Sequence, residues 1–413
     1  MQFSKVIGQP ELKSHLVEMI QQNRLSHALL FLGKEGSGAL GLAIAFAQYI
    51  LCKKNGLQSG TSEQAGPSLF GEEPATSIEK RIISDSCGNC SSCQKVEQLI
   101  HPDLHFSYPV ITKKAGTPPI SADYITEWRE FIKQYAYGNV YDWLQFIGAE
   151  NKQGNITAAE CNDIIRKLNL KSYEGDYKIL ILWMPEYLEK EGNKLLKLIE
   201  EPPADTLFIL VAENESQILP TILSRCQLIK IPALKTTDMI NALVERAKIS
   251  AEQARQVASV SEGNYREALQ VIQHADDDWQ ALLRDWLNAI LKSGPIAQVK
   301  WVEEISKMGR EKQKQFLRYF NHLLEIAIRL RLVGVTVIDD LGREAEGSQQ
   351  GSEYDFAVRL NKIAGIEQQQ AIVEELDKAA YYIERNANSK MLFQALTIKL
   401  YHIIADKSLI LTS

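Results

Sequence analysis

No apolar run in this sequence approaches the roughly 20 residues that a helical membrane span needs, so no membrane association is expected. The first ten residues lack the basic patch, apolar stretch and small-residue cleavage site of a secretory leader, which predicts a cytoplasmic protein. An excess of positive charge is missing too: 46 basic residues face 52 acidic ones, for a net charge of −6. A protein that grips nucleic acid over a broad surface draws most of its affinity from neutralising phosphates, so any DNA contact here must be local or shared with partners. Six cysteines in 413 residues do not suggest a disulfide framework. What is present is a globular composition, 45% hydrophobic and 24% charged, in a chain long enough for two or three domains.

The first segment reads helix, strand, loop, helix. Leu12, Leu16, Met19 and Ile20 fall at helical spacing. His27 to Leu32 is a short apolar run closed by glycines, as expected of a buried parallel strand. The alanine-rich stretch from Leu40 to Ala47 suits a helix. From about Asn55 to Ser86 polar residues, Gly and Pro take over, which predicts an insertion or long surface loop. Two further buried strands are predicted at Tyr177–Trp183 and Leu207–Val211, with a helix over Lys194–Ile199 between them and a break at Glu201-Pro202-Pro203. Strands alternating with helices predict a parallel sheet covered by helices. Ile231-Pro232-Ala233 marks a boundary, beyond which the pattern is helical, with one polar linker near Leu341–Glu353. There is no internal repeat.

A phosphate-binding loop needs G-x-x-x-x-G-K-[ST] between a strand and a helix: backbone amides cradle the phosphates, the lysine neutralises them and the hydroxyl binds magnesium. Gly33, Gly36 and Gly38 stand in that context, but the lysine position holds Ala39 and the hydroxyl position Leu40. Lys34 opens the loop rather than the helix and cannot substitute. The second strand should end in acidic residues for magnesium and water, yet it runs into Met184-Pro185-Glu186. The expected acidic pair is gone, unless Glu186 serves with a one-residue shift, and with the lysine absent tight Mg-ATP binding is not expected.

Cys87, Cys90 and Cys93 form C-x2-C-x2-C, three thiols close enough to share one ion. A structural zinc site takes four tetrahedral ligands. Cys52 is the candidate fourth, with His101 and His105 as rivals. Four thiolates leave no open position for catalysis. Cys161 and Cys226 sit in apolar contexts and read as buried residues.

Together these features resemble the bacterial replicative clamp loaders of the AAA+ family, and their delta-prime branch in particular. Val6-Ile7-Gly8-Gln9 and Arg24-Leu25-Ser26-His27-Ala28 are similar to the segments before the family's phosphate loop. The four-cysteine insertion and His101-Pro102-Asp103-Leu104 resemble the family's segments on the far side of that loop. Leu195 to Pro203 matches the LLK-x-x-EEPP element, and Ser224-Arg225-Cys226 the SRC motif. The likeness covers roughly residues 1–235. Beyond that it is weaker, resting on Gly263 to Leu269, similar to the sensor-2 helix, and on Asn386-Ala387-Asn388, similar to a collar element.

The resemblance implies an α/β P-loop (AAA+) core over residues 1–232 with a zinc module (52–93) and the polar insertion (55–86). A small helical lid over 233–276 and an all-α collar over 277–413 would complete the chain. It implies a subunit that is not an enzyme on its own. Its partners would be gamma/tau motor subunits and a delta subunit in a heteropentamer of the DNA polymerase III holoenzyme, which places a sliding clamp on primed DNA. Arg225 would act in trans on a neighbouring ATP site. Arg266, the sensor arginine, would survive by pairing with carboxylates near the dead site, and Asn214 would cap or turn the chain. The bound metal would be structural Zn2+. The runner-up is an active AAA+ ATPase with an unorthodox phosphate loop, and a zinc-stabilised DNA-binding protein comes third. The apolar stripes of the tail, including Trp279, Leu283, Trp286, Leu317, Phe320 and Leu324, read as packed core.

Overall fold

The computed structural model describes residues 1–54, 84–113, 116–149, 152–273, 279–333, 352–384 and 387–405. Most of the polar insertion, the linker near 341–353 and the boundary at 276–277 lie outside the described residues. Two compact units are formed, Met1–Gln273 and His274–Ser413.

In the first unit five parallel strands form one sheet: β1 (Ala28–Gly33), β2 (Leu104–Ser107), β3 (Lys178–Trp183), β4 (Thr206–Ala212) and β5 (Gln227–Ile231), in the order β2-β3-β4-β1-β5. Every residue of β3 and β4 is buried. The twofold alternation of a strand sends Phe31, Ile181 and Ile209 into one apolar layer, and Leu30, Leu182 and Leu210 into the other. The first layer is completed by α1 (Pro10–Gln21), α2 (Ala39–Ile50), α4 (Ile125–Gln134) and α5 (Val140–Phe146), with α3 (Ser91–Glu97) between α2 and β2 in the chain. The second is completed by α6 (Ala158–Leu168), the 3-10 segment Pro185–Leu195, α7 (Leu196–Glu200) and α8 (Pro220–Leu223). Covering both faces is what permits the strands to be apolar throughout.

The three central strands are those expected from the sequence, within a residue at most ends. The two edge strands escaped it. In β2 the run Leu104-His105-Phe106-Ser107 alternates apolar and polar, and β5 buries only Ile229 and Ile231 of its five residues. A strand paired on one side leaves a weaker apolar signal than one buried on both.

After β5 come α9 (Thr236–Ala242), a π-helical turn at Leu243–Ala247, α10 (Ala251–Val260) and α11 (Tyr265–Gln273). They share a separate core of Leu234, Met239, Leu243, Ala254 and Tyr265, which also takes in Ile7 from the chain start. Gln9 joins the same junction by donating from Nε2 to the Pro232 carbonyl at 2.7 Å.

The second unit is helical: α12 (Trp279–Asn288), α13 (Pro295–Ser306), α14 (Arg310–Val333), α15 (Ser352–Ile363), α16 (Ile366–Glu384) and α17 (Ser389–Ile404). Its core is built on Trp286 and Trp301, stacked at 4.5 Å, with Phe316, Phe320 and Phe393 around them. The indole N–H groups are satisfied, Trp286 by Thr397 Oγ1 at 3.0 Å and Trp301 by the Leu282 carbonyl at 3.1 Å. The expected stripes thus pack as core. Among the described residues no helix is long and apolar enough to cross a membrane.

Candidate functional site

The phosphate loop joins β1 to α2, as the sequence predicts. Its glycines are held by close approach. Gly36 and Gly38 have φ of +72° and +85°, backbone that side chains rarely adopt. A Cβ on Gly36 would fall 1.8 Å from Asn264 Oδ1, and one on Gly38 2.7 Å from the Tyr137 ring. Both neighbours come from elements packed onto the loop, so glycine is required here whether or not a phosphate ever binds. Ala39 and Leu40, at the lysine and hydroxyl positions, open α2 and are buried in the core. Lys34 is exposed. The cavity at the loop, lined by Gly38, Tyr137, Met184 and Glu213 among others, holds about 30 Å³, space for one or two waters.

Arg266, on α11, reaches this loop. It is 4% exposed and is bound on two sides by carboxylates. Nε and Nη2 donate to the two oxygens of Asp142 at 2.5 and 2.6 Å, and Nη1 donates to Glu35 Oε1 at 2.9 Å. Asp142 is itself fixed by a capping box with Asn139 at the start of α5. Asn139 Nδ2 donates to the other oxygen of Glu35 at 3.2 Å. A fork of planar N–H donors suits a bidentate carboxylate as it would a phosphate. Glu35, inside the phosphate loop, supplies the negative charge that this arginine meets.

At the end of β3, Met184 has φ +59° and Glu186 turns away into a buried position. Glu186 Oε1 accepts from the backbone N–H of Glu213 and Asn214 at 2.7 and 2.9 Å, tying the ends of β3 and β4 together. Burial pushes its carboxyl above the usual range, against those two amide bonds. Asn214 caps the short turn Glu215–Gln217, accepting from the Ser216 N–H at 3.0 Å.

Arg225 lies between α8 and β5 with a third of its side chain exposed. Its Nε and Nη2 both meet Glu200 Oε1. Nη1 donates to the Thr221 carbonyl at 2.7 Å and to Ser224 Oγ at 3.1 Å. Cys161 is buried and Cys226 half-buried, and burial raises both thiols to about 11.

The sulfurs of Cys52, Cys87, Cys90 and Cys93 all lie within 4.8 Å of one another, the group among the described residues that is arranged to hold a metal ion. Cys52 comes directly after α2. Cys90 caps α3, which turns Cys93 back toward the others. Cys87 Sγ stands 3.9 Å from Cys93 Sγ, and tetrahedral ligands at about 2.3 Å from a zinc ion stand roughly 3.8 Å apart. The Cys87 N–H points at Cys52 Sγ at 3.4 Å, and the Cys93 N–H at Cys90 Sγ at 3.5 Å. Burial would raise the Cys87 thiol, but amide hydrogen bonds from Asn89 and Cys90 and the neighbouring thiols bring it down to about 6. Burial pushes Cys93 and Cys52 up. Of the rival ligands, His101 is occupied elsewhere: Nδ1 accepts from the Asp103 N–H at 3.2 Å and Nε2 is 3.3 Å from Glu174 Oε1. The residues fit a four-thiolate zinc site.

The sequence profile of a family described as DNA polymerase III, delta subunit, matches residues 8–68 and 71–235, more than half of the chain. The chain belongs to this family. Within the DNA polymerase III delta subunit family it is a delta'-like member. Subunit delta' of DNA polymerase III from Bacillus subtilis (strain 168) is 26% identical over 263 residues, 64% of this chain and 59% of that protein. The delta' subunit from Escherichia coli (strain K12) is 23% identical over 385 residues, 89% and 93% of the two chains. The tau subunit from B. subtilis is 22% identical over 330 residues, 78% of this chain and 46% of that protein. The aligned part thus spans less than two thirds of both B. subtilis relatives.

For this family member the sequence indicates that Arg266 finds carboxylates but not which ones. Glu35 is legible as an acid inside a phosphate loop. Asp142 is not, because 124 residues separate it from Arg266. Glu200 stands in the EEPP element, and nothing in that motif assigns it a partner.

Proposed function

We propose that the chain is a non-hydrolysing delta-prime subunit of the DNA polymerase III clamp loader, which completes a neighbour's ATP site with Arg225. The observation that carries the first part is the pairing of Arg266 with Glu35 and Asp142. In an active relative that arginine would touch nucleotide; here carboxylates occupy it beside a loop that holds Ala39 and Leu40 at the lysine and hydroxyl positions. An arginine supplied across a boundary stabilises charge on a transferring phosphoryl group and contributes about 10³–10⁵-fold in rate. Such a role suits a subunit whose own site is spent.

In this reading residues 1–232 are the AAA+ core, 233–276 the lid and 277–413 the collar. The partners are gamma/tau motors and a delta subunit in a heteropentamer that places a sliding clamp on primer-template DNA, in the cytoplasm. Cys52, Cys87, Cys90 and Cys93 hold a structural zinc ion, whose charge neutralises the thiolates and staples α2 to the segment before β2. With four protein ligands it offers no open position.

Arg225→Ala tests the finger in the assembled complex. DNA-stimulated ATPase at the adjoining site should fall at least a hundredfold, with clamp loading lost; unchanged rates would remove the finger from this reading. A second reading, an active ATPase, draws on Lys34, which lines the same cavity as the phosphate loop. Equilibrium binding of a fluorescent ATP analogue to the isolated chain separates the two. Magnesium-dependent binding and turnover would favour the enzyme.

A further inference from the structure

Arg225 is already spoken for in the isolated chain. Its guanidinium has five N–H donors, and three are hydrogen-bonded, Nε to Glu200 Oε1 and both on Nη1 to the Thr221 carbonyl and Ser224 Oγ, while Nη2 stands against the same Glu200 oxygen as an ion pair. A bidentate grip on a phosphoryl group needs two parallel N–H bonds from two nitrogens, and on each edge of this guanidinium, Nε/Nη2 and Nη1/Nη2, one nitrogen already donates to a protein acceptor. Some partner has to be released before the finger can act, and Glu200 is the partner that competes as an anion.

The position of Glu200 argues that it is placed for Arg225 rather than for its own helix. It is the last residue of α7, where helix carbonyls gather partial negative charge and a carboxylate is disfavoured. Glu201 and two prolines come immediately after it. Proline fixes its own φ and restricts the residue before it, so the carboxylate sits ahead of a stiff turn. Arg225 and Glu200 are 33% and 45% exposed. Ion pairs at such exposure are weak and exchange readily.

We infer that Glu200 is a restraint on the finger, the carboxylate that a neighbouring subunit's nucleotide phosphate displaces when Arg225 engages it. The inference rests on the finger reading above. Glu200 acts only through Arg225. Before engagement it holds Nε and Nη2 at the end of α7; at engagement the same N–H groups pass from carboxylate to phosphate, so the threshold of the adjoining site includes the loss of this pair.

Glu200→Gln keeps the shape and removes the charge. In the complex assembled with its motor and delta subunits, ATP concentration at half-maximal DNA-stimulated ATPase should fall about two- to fivefold, the range set by an exposed ion pair. Maximal rate should not fall. A half-saturating concentration that is unchanged or raised, or a reduced maximal rate, overturns the restraint. The double variant Glu200→Gln/Arg225→Ala should behave as Arg225→Ala alone; any gain that persists without the arginine overturns it as well. The thermal melt of Glu200→Gln should match the parent, which separates the effect from misfolding. If Arg225→Ala leaves the complex fully active, the finger reading itself fails. If Arg225→Ala inactivates it while Glu200→Gln tracks the parent, only the restraint fails.

Discussion

Arg266 is a buried guanidinium whose charge is met by two carboxylates beside the phosphate loop. A buried guanidinium needs anions, and when the lysine and hydroxyl of a phosphate loop are replaced by Ala39 and Leu40 the nearest available ones are Glu35 and Asp142. Each partner in this arrangement depends on the others. Removing one member of a buried pair leaves an uncompensated charge, which costs about 3–5 kcal/mol. Arg266→Met is therefore expected to destabilise the unit Met1–Gln273 by about that amount, measured by denaturant unfolding. A loss below about 1 kcal/mol, well short of the range for a broken buried pair, would mean that the bridge between α11 and the phosphate loop contributes little.

At the scale of elements, the cysteine cluster joins the end of α2 to the start of α3 across the polar insertion. The four cysteines carry free thiols, and the amide donors of Asn89 and Cys90 favour loss of the Cys87 proton. Zinc would bind with release of those protons. The purified chain should carry about one zinc ion, four thiolates to one metal being the usual stoichiometry of a closed site. Chelation should lower its melting temperature, and Cys93→Ser should lose the metal. Well under one zinc per chain together with an unmoved melt would remove the site.

For the whole molecule, His105 on the edge strand β2 is expected to contribute acid sensitivity, in the same sense as His101, whose imidazole burial also holds down. Burial, with Lys167 and Lys178 nearby, holds the His105 imidazole down at about 4 against an ordinary 6.5. Because the folded value is lower, the unfolded chain binds the extra proton between those two values. Stability is then full above pH 6.5 and declines as pH falls toward 4, by at most roughly 3 kcal/mol from this residue. Buried Glu160 and Glu186 have raised values and work in the opposite sense in the acid range, so the comparison to make is with His105→Gln. That variant should show a flatter dependence of unfolding free energy on pH between about 6.5 and 5, the upper part of the window in which the histidine binds its proton. Parallel curves would exclude the histidine as the source.

Patterns confined to a few neighbouring residues were readable from the sequence. The three central strands announced themselves because burial on both faces demands unbroken apolar runs. The departure of the phosphate loop from its pattern was visible because glycine, lysine and hydroxyl positions are fixed by spacing alone, and the three clustered cysteines by the same logic. Tertiary structure decided which distant groups meet those patterns. It chose Cys52 rather than His101 to stand with the other three cysteines, since His101 is turned toward Glu174. It brought Asp142 to Arg266 across 124 residues, and Glu200 to Arg225 across 25. It also placed the edge strands β2 and β5, whose mixed composition carries no run to read. Local spacing is written into the chain itself, whereas the pairing of charges far apart in sequence exists only once the sheet and its covering helices have closed.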